Sequence, residues 1–270
     1  MTVSVLVDAA GTEHAPAGDG ARIVSLVPSI TELLFDLGLG GALVGRTAFC
    51  VHPADRIKSV RSVGGTKQVN FDKLRRAAPT HVIVNIDETP RDLAEEIARM
   101  GITVVVTHPI EVRDNIALYH LIGGLFDRET EAEALAARFE DAYAGVQKAA
   151  ETLPVRRVLY LIWKEPWMTV SADTYIARML ALIGWATIGH DPDIRYPSIE
   201  MSETLLEETD LVLFSSEPFP FSDRHVADFA EAFPHHVAKA HQIDAQMTSW
   251  YGSRVIAGLR YLGALATALG

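Results

Sequence analysis

Between Glu129 and Thr152 the chain reads E-T-E-A-E-A-L-A-A-R-F-E-D-A-Y-A-G-V-Q-K-A-A-E-T, about 24 residues rich in Ala and Glu and free of proline. Leu135, Phe139, Tyr143 and Val146 recur at three-four spacing within it. Good helix formers in that pattern predict one helix about 36 Å long, and Pro154 follows its end. A helix of that length divides the chain in two, and the sequence on either side has a different rhythm.

That rhythm is strand then helix. In R-I-V-S-L-V-P-S-I-T-E-L-L-F-D-L-G, Ile23 to Val27 is the size of a buried strand. From Thr31 the apolar residues Leu33, Leu34 and Leu37 take helical spacing, and Gly38 closes the segment. An opening strand is expected over residues 3–7 and another from Leu43 to Gly45. Asn70 is placed to cap a helix running to about Ala78, H-V-I-V-N is a buried strand, Arg91 to Met100 an amphipathic helix, and I-T-V-V-V-T a strand ending at His108-Pro109. After Pro154 the pattern restarts with R-V-L-Y-L-I-W, a helix from Tyr175 to Ile183, and the strand D-L-V-L-F-S. The halves echo each other: N-F-D-K-L-R-R-A-A-P-T-H-V-I-V-N resembles S-E-T-L-L-E-E-T-D-L-V-L-F-S. The expected fold is α/β, with two Rossmann-like lobes (1–128 and 154–270) joined by a single long helix over 129–153 and a ligand cleft between the lobes.

Composition narrows the function. A net charge of −11 without a Lys/Arg stripe repels nucleic acid and anionic membranes alike. A single cysteine, Cys50, rules out an internal disulfide. The N-terminal M-T-V-S-V-L-V has no basic residue before its apolar run, which reads as a chain without an export signal. No stretch has the length of a membrane span. Catalytic signatures are missing too: no G-x-S-x-G, no P-loop and no G-x-G-x-x-G. Cys50 and His52 form a nucleophile-base pair only if their loop folds back on itself. A non-catalytic binding protein is the expectation.

The ordered set R-I-V-S-L-x-P-S-x-T-E-L-L-F-x-L-G, V-G-R-T, V-G-G-T with N-F-D-K-L, and S-W-Y-G-S-R resembles the helical-backbone substrate-binding proteins of ABC importers, above all their cobalamin-binding members. The resemblance runs from about residue 22 to the end. It implies a monomeric receptor outside the cytoplasmic membrane, with no resident cofactor and a cobalt corrinoid or similar metal chelate as its ligand. A ferric siderophore, haem, or a cytoplasmic sensing role without a permease are the alternatives. By position it implies an aromatic pocket built from Phe49, Trp163, Trp167, Tyr196, Trp250 and Tyr251, with Arg254 for polar edges and Pro28 at the rim. Asp72 and Glu203 match the acidic positions that contact the permease. From the residues alone, Pro28-Ser29-x-Thr31-Glu32 reads mainly as a helix cap, and Asp72 and Glu203 equally as first-turn acids. Trp163, Trp167 and Tyr196 suit site and packing equally. His52 and His108, each before a proline, are candidate metal ligands. His235, His236 and His241 read as solvated.

Overall fold

A computed structural model describes residues 5–188 and 193–270. Residues 3 and 4 of the expected opening strand lie outside this range. The chain forms two compact units. The first comprises residues 1–109, 113–139 and 251–254, the second 110–112, 140–250 and 255–270. The boundaries are therefore not those at 128 and 153. The division falls inside the long helix, and two short segments belong with the unit distant from them in sequence.

The first unit opens with a hairpin, β1 (Leu6–Val7) and β2 (Glu13–His14). Then come β3 (Ile23–Ser25), α1 (Pro28–Asp36), β4 (Leu43–Thr47), β5 (Ser62–Gly64), α2 (Phe71–Ala77), β6 (His81–Asn85), α3 (Arg91–Arg99), β7 (Thr103–Thr107) and α4 (Asp114–Leu125). The sheet runs β5-β4-β3-β6-β7, all parallel. Parallel strands are covered on both faces, which is why H-V-I-V-N is buried at every residue. Val24, Leu26, Val82 and Val84 pack with Leu74, Leu93 and Ile97 to make one core layer. Asn70 accepts from the Lys73 amide at 2.9 Å and starts α2, as the sequence predicts.

The long helix, α5, spans Glu129–Ala150, 22 residues. Leu135, Phe139 and Val146 are buried along it, as the spacing requires. Beyond it lie β8 (Arg156–Leu161), α6 (Tyr175–Ala181), β9 (Trp185–Thr187), α7 (Glu203–Glu207), β10 (Leu211–Ser215), α8 (Asp223–Ala232), β11 (Ala240–Ile243), α9 (Ala245–Ser249) and α10 (Val255–Leu269). The second sheet, β11-β10-β8-β9, is also parallel. Leu159, Leu161, Val212 and Phe214 meet Leu206 and Phe229 in its core. The sequence echo is structural, since Ser202 caps α7 through the Leu205 amide just as Asn70 caps α2. The histidines read as solvated are not all so. His236 is buried against Glu203, and His241, on β11, is half-buried enough for burial to push its pKa down.

Candidate functional site

In open parallel sheets, ligands gather beyond the carboxyl ends of the strands, where neighbouring connections leave in opposite directions. In the first unit that point lies between β3 and β6, and in the second between β8 and β10. Most of the candidate residues follow these strands or their neighbours.

In the first unit, Pro28 is the first residue of α1, and no side chain caps the helix at Val27. The expected Ser/Thr/Glu cap is thereby corrected. Proline suits this position because its missing N–H would have no helical partner. Thr31 Oγ1 instead donates to the Val27 carbonyl at 3.0 Å and lies 3.0 Å from Cys50 Sγ. Thr47 Oγ1 lies 3.2 Å from the same sulfur. Burial pushes the Cys50 thiol up, so a nucleophilic thiolate is disfavoured and the Cys50–His52 pairing has no support. Phe49, following β4, is 62% exposed. His108, following β7, places Nε2 3.4 Å from Asp87 Oδ1. His52 follows β4, and three strand spacings, about 14 Å, separate β4 from β7. Among the described residues no group of three or more His, Cys, Asp or Glu could hold a metal ion.

The W-Y-G-S-R segment divides between the units. In the second unit Trp250 is buried and its Nε1 donates to Glu217 Oε1 at 2.5 Å. In the first, the Tyr251 hydroxyl donates to Glu88 Oε1 at 3.1 Å, and burial followed by the Glu88 charge pushes the phenol well up. Arg254 donates through Nε and Nη2 to the two Glu32 oxygens at 2.7 and 2.6 Å. Gly252 holds φ at +77°, and a Cβ there would lie 3.3 Å from both the Ser29 carbonyl and Leu33 Cβ. Its N–H reaches Asn115 Oδ1 at 2.6 Å and its carbonyl accepts from Tyr119 at 2.9 Å. The glycine is required by that backbone conformation and close approach. The motif expected to meet ligand through all three side chains has each polar end held by a glutamate. Sequence reasoning missed Glu32, Glu88 and Glu217 because the pairings are long-range; only Glu32, inside the quoted motif, carried any signal.

In the second unit, Trp163 follows β8 and is 41% exposed. Its ring meets Phe219, beyond β10, edge to face at 5.6 Å. Phe219 was not singled out in the sequence, although E-P-F-P-F directly after a buried strand was a signal for it. Trp167 is half-buried, and Phe219 also touches its neighbour Phe221, with ring centres 4.6 Å apart. Trp167 stacks on Phe221 at 6.0 Å and meets Phe214 edge-on at 6.5 Å, so it belongs to the packed aromatic cluster. Tyr196 is 38% exposed with the Arg195 guanidinium 5.7 Å from its ring centre. Backbone bonds Thr169 N–H to Pro197 O at 3.0 Å and Ser171 N–H to Arg195 O at 2.8 Å place it beside the β8 loop.

The two acidic candidates sit in matching first turns. Asp72 is exposed and pairs with Arg75 at 2.9 Å. Glu203 is exposed and its Oε2 lies 2.8 Å from His236 Nε2.

Residues 23–251 match the periplasmic binding protein family, so the chain belongs to that family, and its fold is that of the helical-backbone type. The vitamin B12-binding protein of Vibrio cholerae serotype O1 is 26% identical over 201 residues, 73% of this chain and 70% of its own. The crystal structure of the periplasmic vitamin B12 binding protein of Vibrio cholerae superposes with a TM-score of 0.80 at 15% identity, covering 92% of this chain and 97% of that one. A periplasmic haem-binding protein from Roseiflexus gives 0.78 at 20% identity, covering 92% and 98%.

Proposed function

We propose that this protein is the extracytoplasmic receptor of an ABC importer and binds a cobalt corrinoid such as cobalamin. It binds as a monomer, with the corrinoid as cargo rather than a resident cofactor. The supporting observation is the exposed Trp163 ring, edge to face with the half-buried Phe219, at the topological switch point of the second sheet, with Tyr196 beside the same loop. A corrin offers broad apolar surface with amide edges, and exposed aromatic faces at a fixed scaffold edge suit it. Phe49 supplies a further exposed face in the first unit. Trp250, Tyr251 and Arg254 act by holding the loops in place through Glu217, Glu88 and Glu32. Asp72 and Glu203 offer exposed carboxylates to basic groups of the permease. Haem is the second reading, favoured by the relatives' structures and by His52 and His108 on loops at the strand ends.

The test is tryptophan fluorescence during titration with cyanocobalamin. Trp163→Ala and Phe219→Ala are expected to weaken binding about tenfold or more, while Trp167→Phe leaves affinity within about threefold. Equal affinity in Trp163→Ala and the parent chain would overturn this placement of the site. For docking, Asp72→Lys with Glu203→Lys should abolish uptake through the reconstituted permease and spare ligand binding.

A further inference from the structure

A 410 Å³ cavity opens beside the early part of β4, the start of β5 and the second half of α2. This is away from the carboxyl ends of the strands. Three cations line it, Arg61, Lys73 and Arg76, with Ser62 between them and no acidic residue among the lining. In a chain of net charge −11, three cations around one concavity without an acid are out of keeping with the surface. They are also not needed by the helix they flank. The last carbonyls of α2 are already served by Arg22, whose Nε donates to Ala78 O at 2.8 Å and Nη2 to Ala77 O at 2.6 Å. Arg76 spends only Nε, on the Asp72 carbonyl at 3.1 Å. The Asp72 carboxylate accepts from Arg75 Nη1 at 2.9 Å, and Asp72 is not among the lining of the cavity.

We propose that this cavity binds a phosphate group, carried by a small soluble phosphate. Arg76 and Arg61 offer planar N–H pairs matched to phosphate oxygens, and Lys73 adds a point charge. The overall negative charge disfavours a lipid surface as the source, because its repulsion acts over the whole face, whereas a small anion is drawn by the nearest charges within a Debye length.

The experiment is calorimetric titration with inorganic pyrophosphate at low ionic strength, alongside sedimentation with phosphatidylglycerol vesicles. Saturable one-to-one pyrophosphate binding is expected, falling about tenfold in Arg76→Ala and in Arg61→Ala and weakening with added salt. The control Arg91→Ala removes an exposed cation elsewhere, and it should change nothing. Vesicle binding lost in the same two variants, without pyrophosphate binding, would retain the phosphate chemistry and assign it to a headgroup. No saturable binding to either, or an equal loss in Arg91→Ala, would overturn the proposal. All three residues are exposed, so the variants are expected to fold.

Discussion

At the scale of single residues, the recurring feature of the W-Y-G-S-R motif is a carboxylate behind Trp250, Tyr251 and Arg254. The Glu32–Arg254 pair is bidentate, with side chains only 16% and 12% exposed. Removing one member leaves a largely buried charge without its partner, so Arg254→Ala and Glu32→Ala should each cost about 3 kcal/mol in urea unfolding. The double change Arg254→Ala with Glu32→Ala should cost clearly less than the sum of the two single changes. Additive losses would show the pair to be idle. Cys50 gives a second test at this scale. Its thiol is buried, hydrogen-bonded by Thr31 and Thr47, and raised by burial. Native protein at pH 8 should react with a thiol reagent orders of magnitude more slowly than protein in urea. Similar rates in both would show that the loop after β4 opens freely.

At the scale of elements, the N-terminal hairpin is fixed by one carboxylate. Asp8 accepts from the amides of Ala10, Thr12 and Val106, at 2.9, 2.9 and 3.0 Å, and lies 3.0 Å from His14 Nε2. Burial pushes its pKa up, but His14 and the three amides together outweigh burial and leave it below its ordinary 3.8. On β6, His81 is lowered from 6.5 by burial and then by His14. Both shifts act in one direction. Below 6.5 the unfolded chain takes up a proton that folded His81 resists, and below 3.8 the same holds for Asp8. Stability should therefore fall as the pH drops from about 6.5, and fall again below about 3.8. His81→Leu is expected to flatten the first step in acid urea titrations, whereas an unchanged slope would contradict the role of this histidine. Helix packing supplies another test. A Cβ on Gly123 of α4 would stand 2.6 Å from Ala132 Cβ on α5 and 2.9 Å from the Arg128 carbonyl. Gly123→Ala should cost about 2 kcal/mol, read by thermal unfolding, because these helix backbones leave no room for a methyl group.

At the scale of the whole molecule, the fold was legible because its signals are local. The α5 stripe of Leu135, Phe139 and Val146, the Asn70 cap and the all-buried H-V-I-V-N each act within a few residues. The short strands β5, β9 and β11 were not legible, since three or four residues carry no periodicity. The geometry of the candidate site was half legible. Phe49, Trp163 and Tyr196 keep exposed faces at strand ends, but nothing in the sequence separates Trp163 from Trp167. Their difference is set by Phe221 and Phe219, more than fifty residues downstream. The glutamate partners of Trp250, Tyr251 and Arg254 are also distant, for Glu32 by more than two hundred residues, which is why the sequence did not show those hydrogen bonds. The central claim, corrinoid binding, is tested most directly by calorimetric titration of the purified protein with cyanocobalamin, with cobinamide, haem and a ferric hydroxamate as comparators. One-to-one binding of the corrinoids, tighter than either comparator by at least about tenfold, is the expected result. Haem bound more tightly than any corrinoid, or no binding of any of the four to folded protein, would contradict it.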